Sequence, residues 1–177
     1  LDVNTNVSEL VIFGKKTDNT GTLKIDKNVS ITGLTFKDFT YVNINDCPKL
    51  KSITCDDASG LLETVSITNC SQVTSIEIPI DNTTSINLSN CSSLETIILK
   101  GNTIDQFDKL TTLNLSGTKV TSIIYRINGN SDGASEQITE YLDFEMTEHE
   151  FGRMLCKDCA MKEQEKIYNN IIKDLNK

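Results

Sequence analysis

The chain has 177 residues, with no tryptophan, one histidine, two prolines and only 6% aromatic residues. So few rings leave little to fill a broad globular centre. A 37% apolar fraction instead suits a thin core made of aliphatic columns. The single histidine, His149, is the one base a Ser-His-Asp or Cys-His centre could use, and no nucleophile elbow accompanies it. The net charge is −8 and no basic stripe is present, which argues against nucleic-acid binding and against docking on anionic lipid. No stretch approaches the roughly 20 apolar residues of a membrane span, so no membrane insertion is expected. No signal peptide is visible, and the chain begins at Leu1 rather than Met. It therefore reads as a processed or trimmed product, and its compartment stays open.

What is present is repetition. Val42-Asn-Ile-Asn-Asp-Cys47-Pro-Lys-Leu50, Val65-Ser-Ile-Thr-Asn-Cys70-Ser-Gln-Val73 and Ile86-Asn-Leu-Ser-Asn-Cys91-Ser-Ser-Leu94 are nearly one segment written three times. Leu113-Asn-Leu-Ser-Gly-Thr-Lys-Val120 follows with Thr118 near the cysteine position and one residue deleted. Self-similarity at 20-odd residues marks a solenoid, each repeat burying its apolar edge on its neighbours. Apolar-x-apolar units also begin at Val42, Ile53, Val65, Ile76, Ile86 and Ile97, 10 to 12 residues apart. Asn-Cys, Asp-Asp, Ser-Gly and Asp-Asn turn formers lie between them. Each coil should then carry one short strand on each of two faces, around a narrow aliphatic core.

Six cysteines occur: Cys47, Cys55, Cys70, Cys91, Cys156 and Cys159. Cys47, Cys70 and Cys91 share one repeat position, so they are expected to stack as free, buried thiols; three in a column cannot all pair. Cys156-Lys-Asp-Cys159, with His149 upstream, is at most part of a zinc site. No second C-x-x-C exists and a tetrahedral site needs four ligands. Asp56-Asp57, Asp105 and Asp108 fit no calcium-loop spacing and read as turn residues. Neither metal nor cofactor is expected. Asn-x-Ser/Thr triplets such as those at Asn28 and Asn82 follow from the composition alone.

Leu94-x-x-Ile97-x-Leu99-x-x-Asn102-x-Ile104, and Leu110-x-x-Leu113-x-Leu115-x-x-Thr118-x-Val120 after it, resemble the leucine-rich repeat. Cys91-Ser-Ser-Leu94-Glu-Thr-Ile97 further resembles the BspA-like bacterial subgroup, and the segments at Cys47 and Cys70 match it position for position. The resemblance covers roughly residues 40 to 125. It implies a leucine-rich repeat β-solenoid and, by the habit of that class, ligand binding through a sheet.

The expected fold is therefore mostly β with a C-terminal helix. Residues 1–40 are degenerate coils or a cap, with weaker units at Leu10, Leu23 and Leu34. Residues 41–127 are the solenoid, and 128–177 a strand-and-helix appendage. Ile138, Leu142, Phe144 and Met146 alternate as a strand, and Thr147-Glu-His-Glu150 is a capping box that starts a helix running to about Asp174. Its apolar residues Phe151, Leu155, Tyr168, Ile171, Ile172 and Leu175 lie mostly on one side.

The candidate site is a surface. The residue between two inward-pointing ones faces outward, so stacked coils should align Asn43, Ser66, Asn87 and Asn114, flanked by Tyr41, Thr64, Ser85 and Thr112. This row lacks the Trp and Arg of protein hot spots, with Tyr41 its one aromatic anchor. An inert solvated sheet is the simpler alternative. The expected function is a non-enzymatic protein- or glycan-binding module, on a bacterial surface or secreted, adhesin-like. The alternative is a component of a phage virion or surface layer, self-associating or docking through Phe151, Leu155, Ile171, Ile172 and Leu175.

Overall fold

The computed structural model describes residues 7–14, 21–56, 60–101, 109–128 and 141–147. The helix expected after Thr147, His149, the C-x-x-C pair, Asp57, Asp105 and Asp108 lie outside them. Within the described residues the chain is a parallel β-solenoid of about five turns, built on two sheets. Strands alternate between them. β1 (Glu9–Phe13), β3 (Gly33–Lys37), β5 (Ser52–Asp56), β7 (Ser75–Pro79), β9 (Thr96–Gly101), β11 (Ser122–Asn128) and β12 (Tyr141–Thr147) form one sheet in that order. β2 (Thr22–Asp26), β4 (Tyr41–Asn45), β6 (Thr64–Thr68), β8 (Ser85–Asn87) and β10 (Thr112–Asn114) form the other. All pairings are parallel except β11 with β12, which run antiparallel over seven residues. Each strand unit expected from the apolar spacing is present, including the three upstream of residue 40, which pair in full register with their neighbours.

The period-2 pattern sets the core. Leu23, Val42, Val65, Ile86 and Leu113 face one another in register across the five-stranded sheet. Leu34, Ile53, Ile76, Ile97 and Ile123 do the same across the seven-stranded one, where β5 and β7 meet at a single Thr54–Glu77 pair. The inner side chains of both sheets join one continuous apolar cluster. At the corner leaving the five-stranded sheet, Cys47, Cys70 and Cys91 are buried free thiols, each followed three residues on by a buried Leu50, Val73 or Leu94. Asn28 holds the cysteine position one coil earlier, where its Oδ1 accepts the amides of Ser30 and Ile31 at 2.9 Å. Asparagine thus replaces thiol where the turn amides would otherwise be buried unpaired.

The residue before each of these positions takes a left-handed conformation in five successive coils: Lys27 (φ 53°), Asp46 (53°), Asn69 (57°), Asn90 (62°) and Gly117 (74°). This reverses the chain in a tight corner and points each of the first four backbone amides along the solenoid axis. The amides of Lys27, Asp46, Asn69 and Asn90 donate to the carbonyls of Asn45, Thr68, Ser89 and Ser116 in the next coil. Another corner is stitched in the same way, through the carbonyls of Gly21, Thr40, Glu63 and Thr84. Because the corners as well as the strands are hydrogen-bonded coil to coil, coils of 19, 23, 21 and 27 residues keep one register. The extra residues are accommodated between the ladders.

On the outer face of the seven-stranded sheet, Arg126 Nη1 lies 2.8 Å from Glu77 Oε2, with Lys100 Nζ 3.6 Å from Glu77 Oε1. Lys37 pairs with Asp56 at 3.2 Å, which accounts for one of the two neighbouring aspartates. These pairs are partly exposed and contribute little each.

Candidate functional site

The outer face of the five-stranded sheet carries the expected rows, and the register makes them straight. Thr22, Tyr41, Thr64, Ser85 and Thr112 are successive partners. So are Lys24, Asn43, Ser66, Asn87 and Asn114, one strand-width of about 4.8 Å apart. A third row, Asp26, Asn45 and Thr68, completes the face on β2, β4 and β6. Sequence reasoning placed the first two rows from β4 onward. It missed Thr22, Lys24, Asp26, Asn45 and Thr68, although Leu23-Lys-Ile25 carries the same apolar-x-apolar signal one coil earlier.

The three rows differ in how their side chains are held. The third is locked: Asn45 Nδ2 donates to Asp26 Oδ1 at 2.8 Å, and Asn45 Oδ1 accepts from Thr68 Oγ1 at 2.9 Å and Asn69 Nδ2 at 2.8 Å. Asn90 Nδ2 extends the ladder to Asn69 Oδ1 at 3.1 Å. In the middle row, Asn87 and Asn114 use their Oδ1 atoms to accept the amides of Ser89 and Ser116, both at 3.1 Å, which holds each side-chain amide and leaves its Nδ2 hydrogens uncommitted to a described partner. Lys24, Asn43 and Ser66 make no side-chain hydrogen bond within the described residues. In the first row Tyr41 is 41% exposed, and its hydroxyl donates to Glu63 Oε2 at 3.1 Å. That bond and the carboxylate's charge hold the phenol above its usual pKa.

Between the locked row and the middle row lies a shallow depression of about 340 Å³, lined by Lys24, Asp26, Asn43, Asn45, Ser66, Thr68 and Asn87. The floor combines amide and hydroxyl groups, which both donate and accept, with one ammonium and one carboxylate at its β2 end. A second depression of about 330 Å³ lies beside Thr40, Gly60, Leu61, Glu63, Asn82, Thr84 and Lys109. There Lys109 Nζ donates to the Asp81 carbonyl at 2.8 Å and to Asn82 Oδ1 at 2.6 Å, and Asn82 Nδ2 to the Gly60 carbonyl at 2.5 Å. Its polar groups staple one coil to the next.

The thiol column belongs to the core. Each thiol donates to a backbone carbonyl, Cys47 to Asn45 at 3.6 Å, Cys70 to Thr68 at 3.4 Å and Cys91 to Ile67 at 3.3 Å, and the flanking thiols together with burial hold Cys70 above the ordinary thiol value. Thiolate and access together govern alkylation. Iodoacetamide is therefore expected to modify half-buried Cys55 in the native protein and to leave Cys70 intact until the chain is denatured. Peptide mass spectrometry reads this directly; equal rates at Cys55 and Cys70 would mean the column opens to solvent. Among the described residues no three His, Cys, Asp or Glu side chains come together as a metal site.

No protein-family profile, no curated protein and no solved structure matches the chain.

Proposed function

We propose that the chain is a non-enzymatic binding module of a bacterial surface or secreted adhesin-like protein, and that its recognition surface is the outer face of the five-stranded sheet. The observation that carries this reading is the middle row. Asn43 and Ser66 are unengaged, and Asn87 and Asn114 are held through Oδ1 with their Nδ2 donors uncommitted to a described partner, all in one line beside a locked row. A merely solvated sheet has no need to hold one row rigid and leave its neighbour available. The finer relationship we favour is to leucine-rich repeats of the BspA-like pattern. In support, Cys-x-x-Leu/Val-x-x-Ile places the cysteine and the leucine or valine inside the corner and the isoleucine on the next strand in three successive coils.

The test is retention of the labelled chain on immobilised mucin, fibronectin, collagen and neutral and acidic polysaccharides. At least one of these is expected to retain the wild type. The Asn87→Lys/Asn114→Lys variant, folded by circular dichroism, should lose that retention, because two ammonium groups replace the oriented amides. Retention by none of the probes, or undiminished binding by the variant, would end the reading.

A second reading, a component of a phage virion or surface layer, draws on a different observation. Among the described residues β1 is an edge strand, and it exposes 57% of Val11 and 71% of Phe13, where the later coils place Thr35 and Lys37 or Thr54 and Asp56. An exposed apolar edge strand is prone to pair with another chain. Light scattering separates the two: an assembly component self-associates, and does so less as Ile171→Glu/Ile172→Glu or as Phe13→Lys.

A further inference from the structure

The ligand that fits this face is a linear, neutral polysaccharide lying along the solenoid axis. We infer that the chain binds such a polymer with one sugar unit over each coil; the inference rests on the binding-surface reading above and names its ligand class.

Three features of the face lead there. Its repeat is one-dimensional. Lys24, Asn43, Ser66, Asn87 and Asn114 recur once per coil at about 4.8 Å, and an extended pyranose unit advances by about the same length. A globular protein partner whose surface side chains do not repeat at this spacing would match only part of the row. A strand laid along the axis would run across the five strands, with no edge to pair with.

The chemistry of the row is also that of a sugar's complement. Amides and hydroxyls donate and accept at once, as vicinal sugar hydroxyls do, and each Asn can bridge two of them. The anchors of tight protein interfaces are missing: no Trp, no Arg and a single Tyr stand on this face. Tyr41 is exposed and pinned through Glu63, so it presents an apolar platform at low entropic cost, the kind of surface on which the C–H face of a sugar ring packs.

Finally, charge selects a neutral polymer. The net charge is −8, and the single ammonium in the depression, Lys24, stands beside Asp26. The row offers a polyuronate or phosphate polymer one ammonium in five coils and neutral groups elsewhere, against a chain whose net charge opposes polyanions at long range.

The experiment is calorimetry with the wild-type chain and neutral oligosaccharides of β-1,4-linked glucose, mannose and galactose, each from two to eight units long, with oligogalacturonate as the acidic control. Affinity for at least one neutral series should climb with length and level off near five units, the number of coils in the sheet. Asn43→Ala/Ser66→Ala, which removes two unengaged side chains and disturbs no described hydrogen bond, should weaken that series by roughly tenfold, on the scale of two polar contacts. Binding that ignores length, or equal binding of oligogalacturonate, overturns the inference. So does binding that is insensitive to the double substitution. If the chain binds none of these oligosaccharides but is retained on an immobilised protein and loses this in Asn87→Lys/Asn114→Lys, the glycan inference fails while the recognition surface stands.

Discussion

Replacing Ile67 by alanine is expected to lower the unfolding free energy by about 3 kcal/mol and the melting temperature by roughly 6–12 °C. Ile67 is fully buried in the middle coil, is the register partner of Ile44, and shares the core with Leu88 in the coil that follows. A rigid hydrogen-bonded coil on either side prevents the cavity from collapsing, so both the transfer and the cavity costs apply. Leu113→Ala is the comparison. Leu113 stands on β10, the last strand of its sheet, and is only half buried. Its loss should be less than half as large. Denaturant titration of both variants decides the matter. Equal losses would mean that the end coils are as tightly packed as the middle ones, contrary to a stack in which each coil is stabilised by its immediate neighbours.

The same contrast explains how much was legible in the residues. Apolar-x-apolar spacing located every strand of the solenoid except β11, whose Ile123-x-Tyr125-x-Ile127 alternation went unread, because a strand with one buried face has period 2 and no other pattern places Val65 and Ile67 together inside. The repeated cysteine fixed the phase of the coils, hence the alignment of Asn43, Ser66, Asn87 and Asn114. It could not reach β2, where Asn28 takes the cysteine's place and supplies through its carbonyl what the other corners obtain differently. Lys24 and Asp26 were left out of the surface for that reason.

The leucine-rich spacing was less informative than its familiarity suggests. Leu94-x-x-Ile97-x-Leu99 ends on the seven-stranded sheet and Leu110-x-x-Leu113-x-Leu115 on the five-stranded one. The motif therefore describes a corner followed by a strand, and each coil has more than one such passage. It says that coils stack without saying which sheet is the working one. What remained illegible is the state of each side chain. Asn45 and Asn43 are two residues apart with identical chemistry, yet one is locked by Asp26, Thr68 and Asn69 and the other is unengaged. Only the cross-coil register separates them.

The left-handed corners make the second large effect. Asn69→Val should cost about 3 kcal/mol, combining the 1–2 kcal/mol of a left-handed conformation at a residue unsuited to it with the loss of its bonds to Asn45 and Asn90. Asn69→Gly loses the same bonds but none of the conformational fit, and should cost about 1 kcal/mol. The ordering is diagnostic, since a corner held by side-chain ladders alone would make glycine and valine equally damaging. The chain contains its own control at Gly117, in the corner equivalent to Asn69, where a Cβ would stand 2.7 Å from Asn90 Oδ1. It contains the opposite case at Lys27, which takes φ 53° without an amide or carboxamide side chain to favour it. Lys27→Gly should therefore stabilise the protein by about 0.5–1 kcal/mol, the relieved strain exceeding the entropy that glycine adds to the unfolded chain. A stability gain at Lys27, a small loss for glycine at Asn69 and a large one for valine would together establish that backbone conformation governs these corners. A loss at Lys27→Gly would instead show that its side chain supports the first coil and that strain is the lesser term.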